Sequence, residues 1–304
     1  MSLIIHHYPM SPFSEKIRLM LGYTGINWLS CISPEMPPRP IVDPLAGGYR
    51  RIPVAQDGAD IFCDTRVISA EIAVLSRRLE LDPANCHEEQ LGLSASLEGD
   101  VFWACVAAIP ARYILRQLFR NLTFVNAFRF LLDRAGVARN AVAKPMPPKD
   151  PIVVFNRHLQ ELNNCLADRG PFLFGESPTH TDFAAYHTLW FQHVVGELPL
   201  PENVPAVVGW FQRMSQFGHA DNTTIDAEQA FANARDAAPR PVPEALAEAP
   251  GIGNSVTVRP VDYALDGTTG RLVGLSEQRI ILARESDQFG RVHVHFPRQG
   301  FTLD

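Results

Sequence analysis

The stretch LIIHHYPMSPFSEKIRLML, residues 3–21, decides the fold. It opens on a short apolar-rich run, residues 3–7, which predicts a buried β-strand. A turn follows, and Ser11 and Pro12 then begin a helix, because serine is a favoured N-cap and proline fits the first helical position. Apolar side chains recur at helical spacing behind them, at Phe13, Ile17, Met20 and Leu21. The stretch therefore predicts a strand that leads through a tight turn into an amphipathic helix.

The alternation of strands and helices continues from there. A second strand is expected over residues 28–33, after the glycines that end the helix. Asp57-Gly58 is a turn signal between two further short strands. Asp64 and Thr65 then cap another helix, whose apolar stripe has the helical period. Residues 1–80 are therefore expected to form a β-α-β-loop-β-β-α unit.

The rest of the chain divides into a helical part and a β part. Residues 85–237 have a helical period almost throughout, with candidate helices over residues 88–118, 124–135, 151–168, 182–195, 204–217 and 226–237. Residues 238–254 are rich in proline and predict a stiff linker. Short strands separated by turns follow over residues 255–304 and predict a small β domain. Its size is near the lower limit for independent stability, so we expect it to pack on the helical part.

Composition and charge exclude several classes of protein. The 304 residues are 46% hydrophobic and 20% charged, which is the balance of a globular chain and not of a disordered one. No apolar run approaches the roughly 18 residues that a membrane-spanning helix needs, so no membrane association is expected. The net charge of −6 argues against non-specific nucleic-acid binding.

The cysteines predict a reducing environment. There are five of them, scattered and without CxxC spacing, at Cys31, Cys63, Cys86, Cys105 and Cys165. This pattern argues against a disulfide framework and against a zinc site, and no metal is expected. The N-terminal residues lack the pattern of a secretory signal. We therefore expect a cytoplasmic protein.

Three motifs in the first 80 residues point to a known family. They are Ser11-Pro12-Phe13-Ser14 after the first strand, Arg51-Ile52-Pro53-Val54, and Asp64-Thr65-Arg66-Val67-Ile68 at a helix start. In order and spacing they resemble the motifs of glutathione transferases, and Thr179-x-x-Asp182 resembles the capping box of that family's core helix. The resemblance covers residues 1–237. It implies a thioredoxin-like α/β domain followed by an all-α domain, here with an additional small C-terminal all-β domain.

Ser11 is the catalytic residue that the resemblance implies, with glutathione as co-substrate. Residues 11–14 look like the active-site tetrad of glutaredoxins and omega-type transferases, with serine in place of both cysteines. A free thiol has a pKa near 8.5, so its reactive thiolate needs stabilising at neutral pH. A helix N-terminus and a serine hydroxyl can both do this. A simple N-cap remains the alternative for Ser11, and Ser14 and Tyr8 are weaker candidates.

The third motif implies how the γ-glutamyl end of glutathione is held. Asp64 would pair with its α-ammonium group, although glutamate is usual at this position of the family. The hydroxyl and N–H of Thr65, at a helix N-terminus, would hold its α-carboxylate. A simple helix cap is the ordinary alternative for both residues.

The second motif implies how the rest of glutathione is held. Pro53 would be cis, so that the backbone of Val54 meets the cysteinyl unit in strand-like pairing. Arg51 would meet the glycyl carboxylate, with Arg50 as a second contender. Phe13 and Ile52 belong to the same implied site. An edge-strand proline and a solvated arginine are the ordinary alternatives.

The resemblance implies an enzyme that activates the glutathione thiolate for attack on an electrophilic small molecule, as in detoxification. Two other functions stay open at this point. One is a non-catalytic binding or structural protein with the same fold, and the other is a glutathione-dependent isomerase or dehalogenase. The family also implies a homodimer. Neither nucleic acid nor a membrane is expected as a partner.

Overall fold

One ten-stranded sheet runs through the computed structural model, which describes residues 2–141 and 150–304. The strand order is β10-β6-β7-β8-β9-β4-β3-β1-β2-β5. The strands are β1 (Ile4–His7), β2 (Trp28–Ile32), β3 (Val54–Asp57), β4 (Asp60–Cys63), β5 (Asn222–Ile225), β6 (Ser255–Pro260), β7 (Thr268–Leu275), β8 (Arg279–Ser286), β9 (Gly290–Pro297) and β10 (Phe301–Leu303).

The helices of the described residues cover the first strands and build the middle of the chain. They are α1 (Pro12–Thr24), α2 (Val42–Ala46), α3 (Thr65–Ser76), α4 (Glu88–Glu98), α5 (Asp100–Ala108), α6 (Ala111–Asn121), α7 (Phe124–Asn140), α8 (Pro151–Arg169), α9 (His180–Trp190), α10 (Pro205–Ser215), α11 (Ala227–Arg235) and α12 (Glu244–Ala247). The helix expected over residues 88–118 is divided at Gly99 and again before Pro110, whose missing N–H cannot continue a helix.

The predicted fold class is confirmed. Strands β1 to β4 with α1 and α3 form the expected β-α-β-loop-β-β-α unit, in which β1 pairs parallel with β2 and antiparallel with β3. The helical part packs on this unit through one shared core, in which Ile17 and Ile68 lie with Phe183 and Trp210. The C-terminal strands are present as well.

The C-terminal strands have a partner that we did not predict. Strand β9 pairs parallel with β4, in the register Asp60 to His293 and Phe62 to His295. Strands β6 to β10 therefore continue the sheet of the first unit. They also contact the helical part as expected, through α11 against β9 and Trp103 against Tyr263. The physical reason is the open edge of β4, whose backbone N–H and C=O groups would otherwise lack partners.

The proline-rich segment is fixed to this joint. The backbone N–H of Arg240 donates to Asp60 (N to Oδ2, 2.9 Å), and its guanidinium pairs with Asp57 and Glu71. Arg279, from β8, reaches the same Glu71 carboxylate at 2.7 Å. Glu71 on α3 thus binds both the linker and the C-terminal strands.

One helical stretch departs from the expectation about membranes. By length and composition alone, Glu88–Ala108 is long and apolar enough to span a bilayer. The stretch crosses Gly99, where α4 ends and α5 begins, and its residues Leu97, Val101 and Cys105 lie in the shared core. Core helices of soluble proteins pass the same test, so this is weak evidence for a membrane span.

Candidate active site

A cavity of about 260 Å³ lies where the first unit, α4 and the C-terminal strands meet. Six of the residues that the sequence singled out line it together: Phe13, Arg51, Ile52, Pro53, Asp64 and Thr65. The other lining residues are Tyr49, Arg66, Ala95, Glu98, Gly99, Val261, Asp262, Tyr263 and Gly300. Ser11 and Val54 are not among them.

Ser11 caps helix α1, whose residue Phe13 lines the cavity. Its hydroxyl oxygen accepts a hydrogen bond from the N–H of Ser14 at 3.1 Å, and Pro12 occupies the first helical position, as predicted. The Ser11 residue is 2% exposed. The accepting role leaves its hydroxyl proton free to be donated, so capping and a hydrogen bond to sulfur are compatible.

Ser14 is fully buried and does not face solvent on the helix surface. Within the described residues its hydroxyl oxygen has no hydrogen-bond partner. Two residues later, the buried Lys16 pairs with Glu98 of α4, and its Nζ lies 3.2 Å from His180 Nε2. Glu98 lines the cavity, so this part of the cavity wall carries an ion pair. The lysine of that pair lies on α1, the helix that Ser11 caps.

Phe13 links the cavity to a group of aromatic rings on the helical part. Its ring centroid lies 5.1 Å from that of Phe102 and 4.8 Å from that of His187. Trp103 touches Phe102 on one side and Tyr263 on the other. An apolar, aromatic wall of this kind suits a hydrophobic acceptor molecule next to the cavity.

Asp64 is held in an unusual conformation at the start of α3. Its φ is +86°, a region that costs a non-glycine residue about 1–3 kcal/mol. Its carboxylate accepts from the N–H of Arg66 at 3.0 Å and pairs with the Arg66 guanidinium at 2.9 Å. Burial alone would raise the pKa of Asp64, but Arg66 outweighs it and lowers that pKa to about 2. Asp64 is therefore a carboxylate at neutral pH and can attract an ammonium group.

Thr65 is the first residue of α3 and is 6% exposed. Its N–H belongs to the first turn of the helix, where N–H groups have no partner inside the helix. The cavity therefore meets a helix N-terminus beside a carboxylate. This pair of features suits a ligand that carries both a carboxylate and an ammonium group.

The Ile52–Pro53 peptide bond is cis. Val54, the next residue, is fully buried and its strand pairs on both sides, with His6 of β1 and Cys63 of β4. In the described part of the chain no backbone hydrogen bond involves Ile52, which lines the cavity. The free backbone next to the proline thus belongs to Ile52 and not to Val54.

Arg51 lines the cavity but already has partners. Its guanidinium pairs with the carboxylate of Asp262 and donates to the carbonyl of Tyr263 at 2.5 Å. The Tyr263 ring lies over the guanidinium, 4.1 Å from carbon to centroid. Arg50, the second contender, points elsewhere: it pairs with Asp133 of α7.

Sequence reasoning missed four of the polar lining residues: Tyr49, Glu98, Asp262 and Tyr263. Tyr49 is 1% exposed, and within the described residues its hydroxyl has no partner. Burial raises the pKa of Tyr49, so the hydroxyl stays protonated and can donate. The sequence contained one indication of Glu98. Lys16 lies next to the apolar stripe of α1, and a buried lysine needs an acidic partner. The sequence contained none for Asp262 and Tyr263, because they reach Arg51 only through the fold.

The described residues, 2–141 and 150–304, contain no group of three or more His, Cys, Asp or Glu side chains arranged to hold a metal ion. His295 Nε2–H donates to Asp60 Oδ1 at 2.8 Å, at the joint between β4 and β9. This pair stabilises the joint and lies outside the cavity.

Comparison with known proteins gives matches to two family models and to solved structures. The model described as "Glutathione S-transferase, N-terminal domain" matches residues 5–75, and "Glutathione S-transferase, C-terminal domain" matches residues 152–213. A GST-like protein from Pseudomonas syringae is 30% identical and superposes with a TM-score of 0.76, over 100% of this chain and 99% of that chain.

Two further solved structures each cover about seven tenths of the chain. FzlA from C. crescentus is 20% identical, with a TM-score of 0.47, over 71% of this chain and 88% of that chain. A glutathione S-transferase from Methylobacillus flagellatus, solved with GSH bound, is 17% identical, with a TM-score of 0.45, over 71% of this chain and 95% of that chain. No curated protein matches the chain.

Proposed function

We propose, since this chain belongs to the glutathione S-transferase family, that it binds glutathione in the cavity and activates the thiol for attack on an electrophilic small molecule. One observation carries the proposal. Residues from three separate motifs, Phe13, Arg51 to Pro53, and Asp64 to Thr65, line one cavity between the N-termini of α1 and α3.

The γ-glutamyl end of glutathione fits the start of α3. Asp64 is ionised and would attract the α-ammonium group, while the N–H and hydroxyl of Thr65 would hold the α-carboxylate. The cysteinyl unit would then lie along Ile52 and Pro53, with the Ile52 backbone taking the pairing role that the sequence assigned to Val54. This placement directs the thiol toward the N-terminus of α1.

At α1, Ser11 would favour the thiolate over the thiol. The thiol proton leaves to solvent, and the Ser11 hydroxyl donates a hydrogen bond to the negative sulfur. The helix N-terminus adds a partial positive charge. The thiolate then forms a sulfur–carbon bond with the acceptor, which releases its leaving group or takes up the electron pair. The aromatic wall of Phe102 and Trp103 would receive the apolar part of the acceptor.

Titration calorimetry of the full chain with reduced glutathione tests the binding step. We expect reversible binding at millimolar glutathione or below. The matched control ligand is cysteinylglycine, which has the thiol but not the γ-glutamyl end and should bind much more weakly. No heat of binding at millimolar glutathione would contradict the proposal and favour a purely structural role.

Replacing Ser11 with alanine should slow any glutathione-dependent reaction about 10- to 100-fold, because one hydrogen bond to a charged atom is lost. The affinity for glutathione should change little, since the ends of the peptide supply most of the binding. Steady-state kinetics with a panel of electrophiles measures this.

Thr123→Ala is the control for that experiment. Thr123 caps α7, where its hydroxyl accepts from Asn126 N–H, so the variant loses a helix cap without touching the cavity. It should keep full activity. Unchanged turnover in Ser11→Ala would move the catalytic role to Ser14, to Tyr8 or to the helix end alone.

The contacts that Arg51 already makes within the chain favour a second candidate function. In it, the protein binds ligands in this fold but catalyses no reaction. Its guanidinium is engaged by Asp262 and Tyr263, so a family binding residue already has partners from the same chain. The same experiments separate the two functions, because a non-catalytic protein would show binding and no reaction with any electrophile. An isomerase or dehalogenase would react only with particular acceptors.

We also infer a cytoplasmic homodimer. The five cysteines are all free, which suits a reducing compartment. Helix α7 exposes a row of large apolar side chains, Phe124, Val125, Phe128 and Leu132, each more than half exposed. A second copy of the chain would cover such a row.

Light scattering at micromolar concentration should therefore give twice the mass of the chain. Phe128→Asp, which places a charge in the row, should shift the protein toward the monomer. Substitutions to Lys or Asp on the opposite face of α7 should leave the measured mass unchanged. A monomeric wild-type protein at this concentration would refute the homodimer.

A further inference from the structure

We propose that Asp262 takes the position on Arg51 that a substrate carboxylate would take, so that the cavity accepts γ-glutamyl thiols whose C-terminal end is uncharged or absent. Asp262 is thus a specificity-determining residue of the thiol site. The inference rests on the proposed function, because it concerns which thiol enters that site. It departs from the expectation that Arg51 binds the glycyl carboxylate of glutathione.

The contact comes from the loop between β6 and β7, outside the thioredoxin-like unit. Val261, Asp262 and Tyr263 all line the cavity. Asp262 forms an ion pair with Arg51, and the Tyr263 carbonyl accepts from the same guanidinium nitrogen, Nη2, at 2.5 Å. The C-terminal part of the chain therefore supplies one wall of the cavity and binds the guanidinium of Arg51.

The loop is held against the cavity by more than the ion pair. The Tyr263 ring covers the Arg51 guanidinium at 4.1 Å, a favourable cation–π contact. On its other side, Tyr263 meets Trp103 of α5 edge-on, with centroids 5.7 Å apart. A ligand carboxylate would have to break the ion pair and displace an anchored ring to reach Arg51.

The charges around Arg51 also disfavour a second carboxylate. The cavity is lined by three carboxylates, Asp64, Glu98 and Asp262, and by two guanidinium groups, Arg51 and Arg66. Arg66 is paired with Asp64, and Glu98 with Lys16. A ligand carboxylate beside Asp262 would face a like charge, and among the described lining residues both guanidinium groups are already paired.

A neutral end suits the donors that remain. Within the described residues, Arg51 Nε and the Tyr49 hydroxyl are both buried, and neither has a hydrogen-bond partner. Both are donors and both belong to residues that line the cavity. A neutral carbonyl, as in an amide or an ester, can accept from such donors without the repulsion that a carboxylate meets from Asp262.

Titration calorimetry of the full chain with three thiols tests the inference: glutathione, its glycyl monoethyl ester and γ-glutamylcysteine. For the wild type we expect the ester and γ-glutamylcysteine to bind at least as tightly as glutathione, because neither places a glycyl carboxylate beside Asp262. In Asp262→Asn, Arg51 is released, so glutathione should bind about tenfold more tightly while the ester changes little. Asp262 is 43% exposed at its side chain, so the substitution leaves the core intact.

The matched control is Asp266→Asn. Asp266 lies in the same loop but faces Arg50, with 4.0 Å between the charged atoms, and does not line the cavity. This variant should leave all three affinities unchanged. Hydrogen exchange of the unliganded proteins adds a readout that needs no ligand: amides of residues 261–263 should exchange faster in Asp262→Asn and not in Asp266→Asn.

Three outcomes would overturn the inference. One is a wild type that binds glutathione at least about tenfold more tightly than its ester, because Arg51 would then be available to the carboxylate. Another is an Asp262→Asn variant that shifts both affinities equally. The third is unchanged hydrogen exchange in that variant. Failure of all three thiols to bind any of the proteins would instead refute the proposed function, and the inference with it.

Discussion

Replacing Asp182 with alanine should lower the free energy of unfolding by roughly 3–5 kcal/mol. Asp182 lies in the first turn of α9 and is fully buried. Its carboxylate accepts from the N–H of Leu173, from Trp210 Nε1, and from the N–H and hydroxyl of Thr179, at 2.9–3.1 Å. Because Leu173 and Trp210 are fully buried too, their donors would be left without partners. Urea unfolding followed by tryptophan fluorescence measures the loss.

Two variants make this result interpretable. Asp182→Asn keeps one acceptor oxygen at the same place and should lose clearly less stability than the alanine variant. Asp226→Ala removes the carboxylate from another capping box, at the start of α11, where the residue is exposed. Its loss should be near 1 kcal/mol, the value of an ordinary N-cap. Equal losses for Asp182→Ala and Asp226→Ala would show that the buried hydrogen bonds contribute nothing beyond capping.

Replacing Glu71 with glutamine should cost roughly 2–3 kcal/mol, somewhat less than a fully buried ion pair, because its arginine partners are partly exposed. The Glu71 carboxylate is buried on α3 and pairs with Arg240 of the linker and Arg279 of β8, each at 2.7 Å. Its neutralisation should loosen the joint between the C-terminal strands and the first unit. Faster limited proteolysis of the linker, together with the unfolding free energy, measures this.

The matched control is Glu285→Gln. Glu285 pairs with Arg291 at 2.6 Å, but both side chains are well exposed, so the expected loss is below about 1 kcal/mol. A Glu71→Gln variant as stable as Glu285→Gln, with unchanged proteolysis, would show that the C-terminal strands are held by their pairing with β4 alone.

The contribution of Glu71 should also depend on pH. Burial alone would raise the pKa of Glu71, but Arg279 and Arg240 outweigh it and lower that pKa. The stabilisation is therefore fully present above the ordinary glutamate pKa of about 4.3 and is lost as the pH falls below it. The difference in unfolding free energy between the wild type and Glu71→Gln should narrow at acid pH.

The elements that the sequence predicted are those whose signal is local. Ser11 and Pro12 start α1, Asp64 caps α3, and the capping box of Thr179 and Asp182 starts α9. In each case the cap and the residues it serves lie within a few positions of one another. Such signals need no knowledge of the rest of the fold, which is why the first unit and the helical part could be predicted.

Strand β5 could not be predicted for the opposite reason. Its four residues, Asn222–Ile225, are polar and mostly exposed, without the alternation of a half-buried strand. They become a strand only because they lie beside β2, in the register Trp28 to Asn222. Pairing of this kind depends on a partner far away in the chain, and nothing in the four residues indicates it.

The pairing of the C-terminal strands with the edge of β4 could not be predicted for a similar reason. Alternation at Val292, Val294 and Phe296 indicates which face of β9 is buried, but not which strand lies beside it. One signal was present: Asp60 is an acidic residue in a buried strand and needs polar partners. Arg240 and His295 supply them. The contact between Asp262 and Arg51 follows from the same joint and was equally out of reach.

The parallel pairing of β4 with β9 also has a consequence for the synthesis of the protein. The joint connects Asp60 and His295, which lie 235 positions apart. A ribosome releases the chain N-terminus first, so β4 emerges long before its partner β9. During that interval β4 exposes an unpaired edge, which can pair wrongly with other chains. A chain that is cut before Gly290, the first residue of β9, therefore keeps that edge open, and we expect it to aggregate more readily than the full chain.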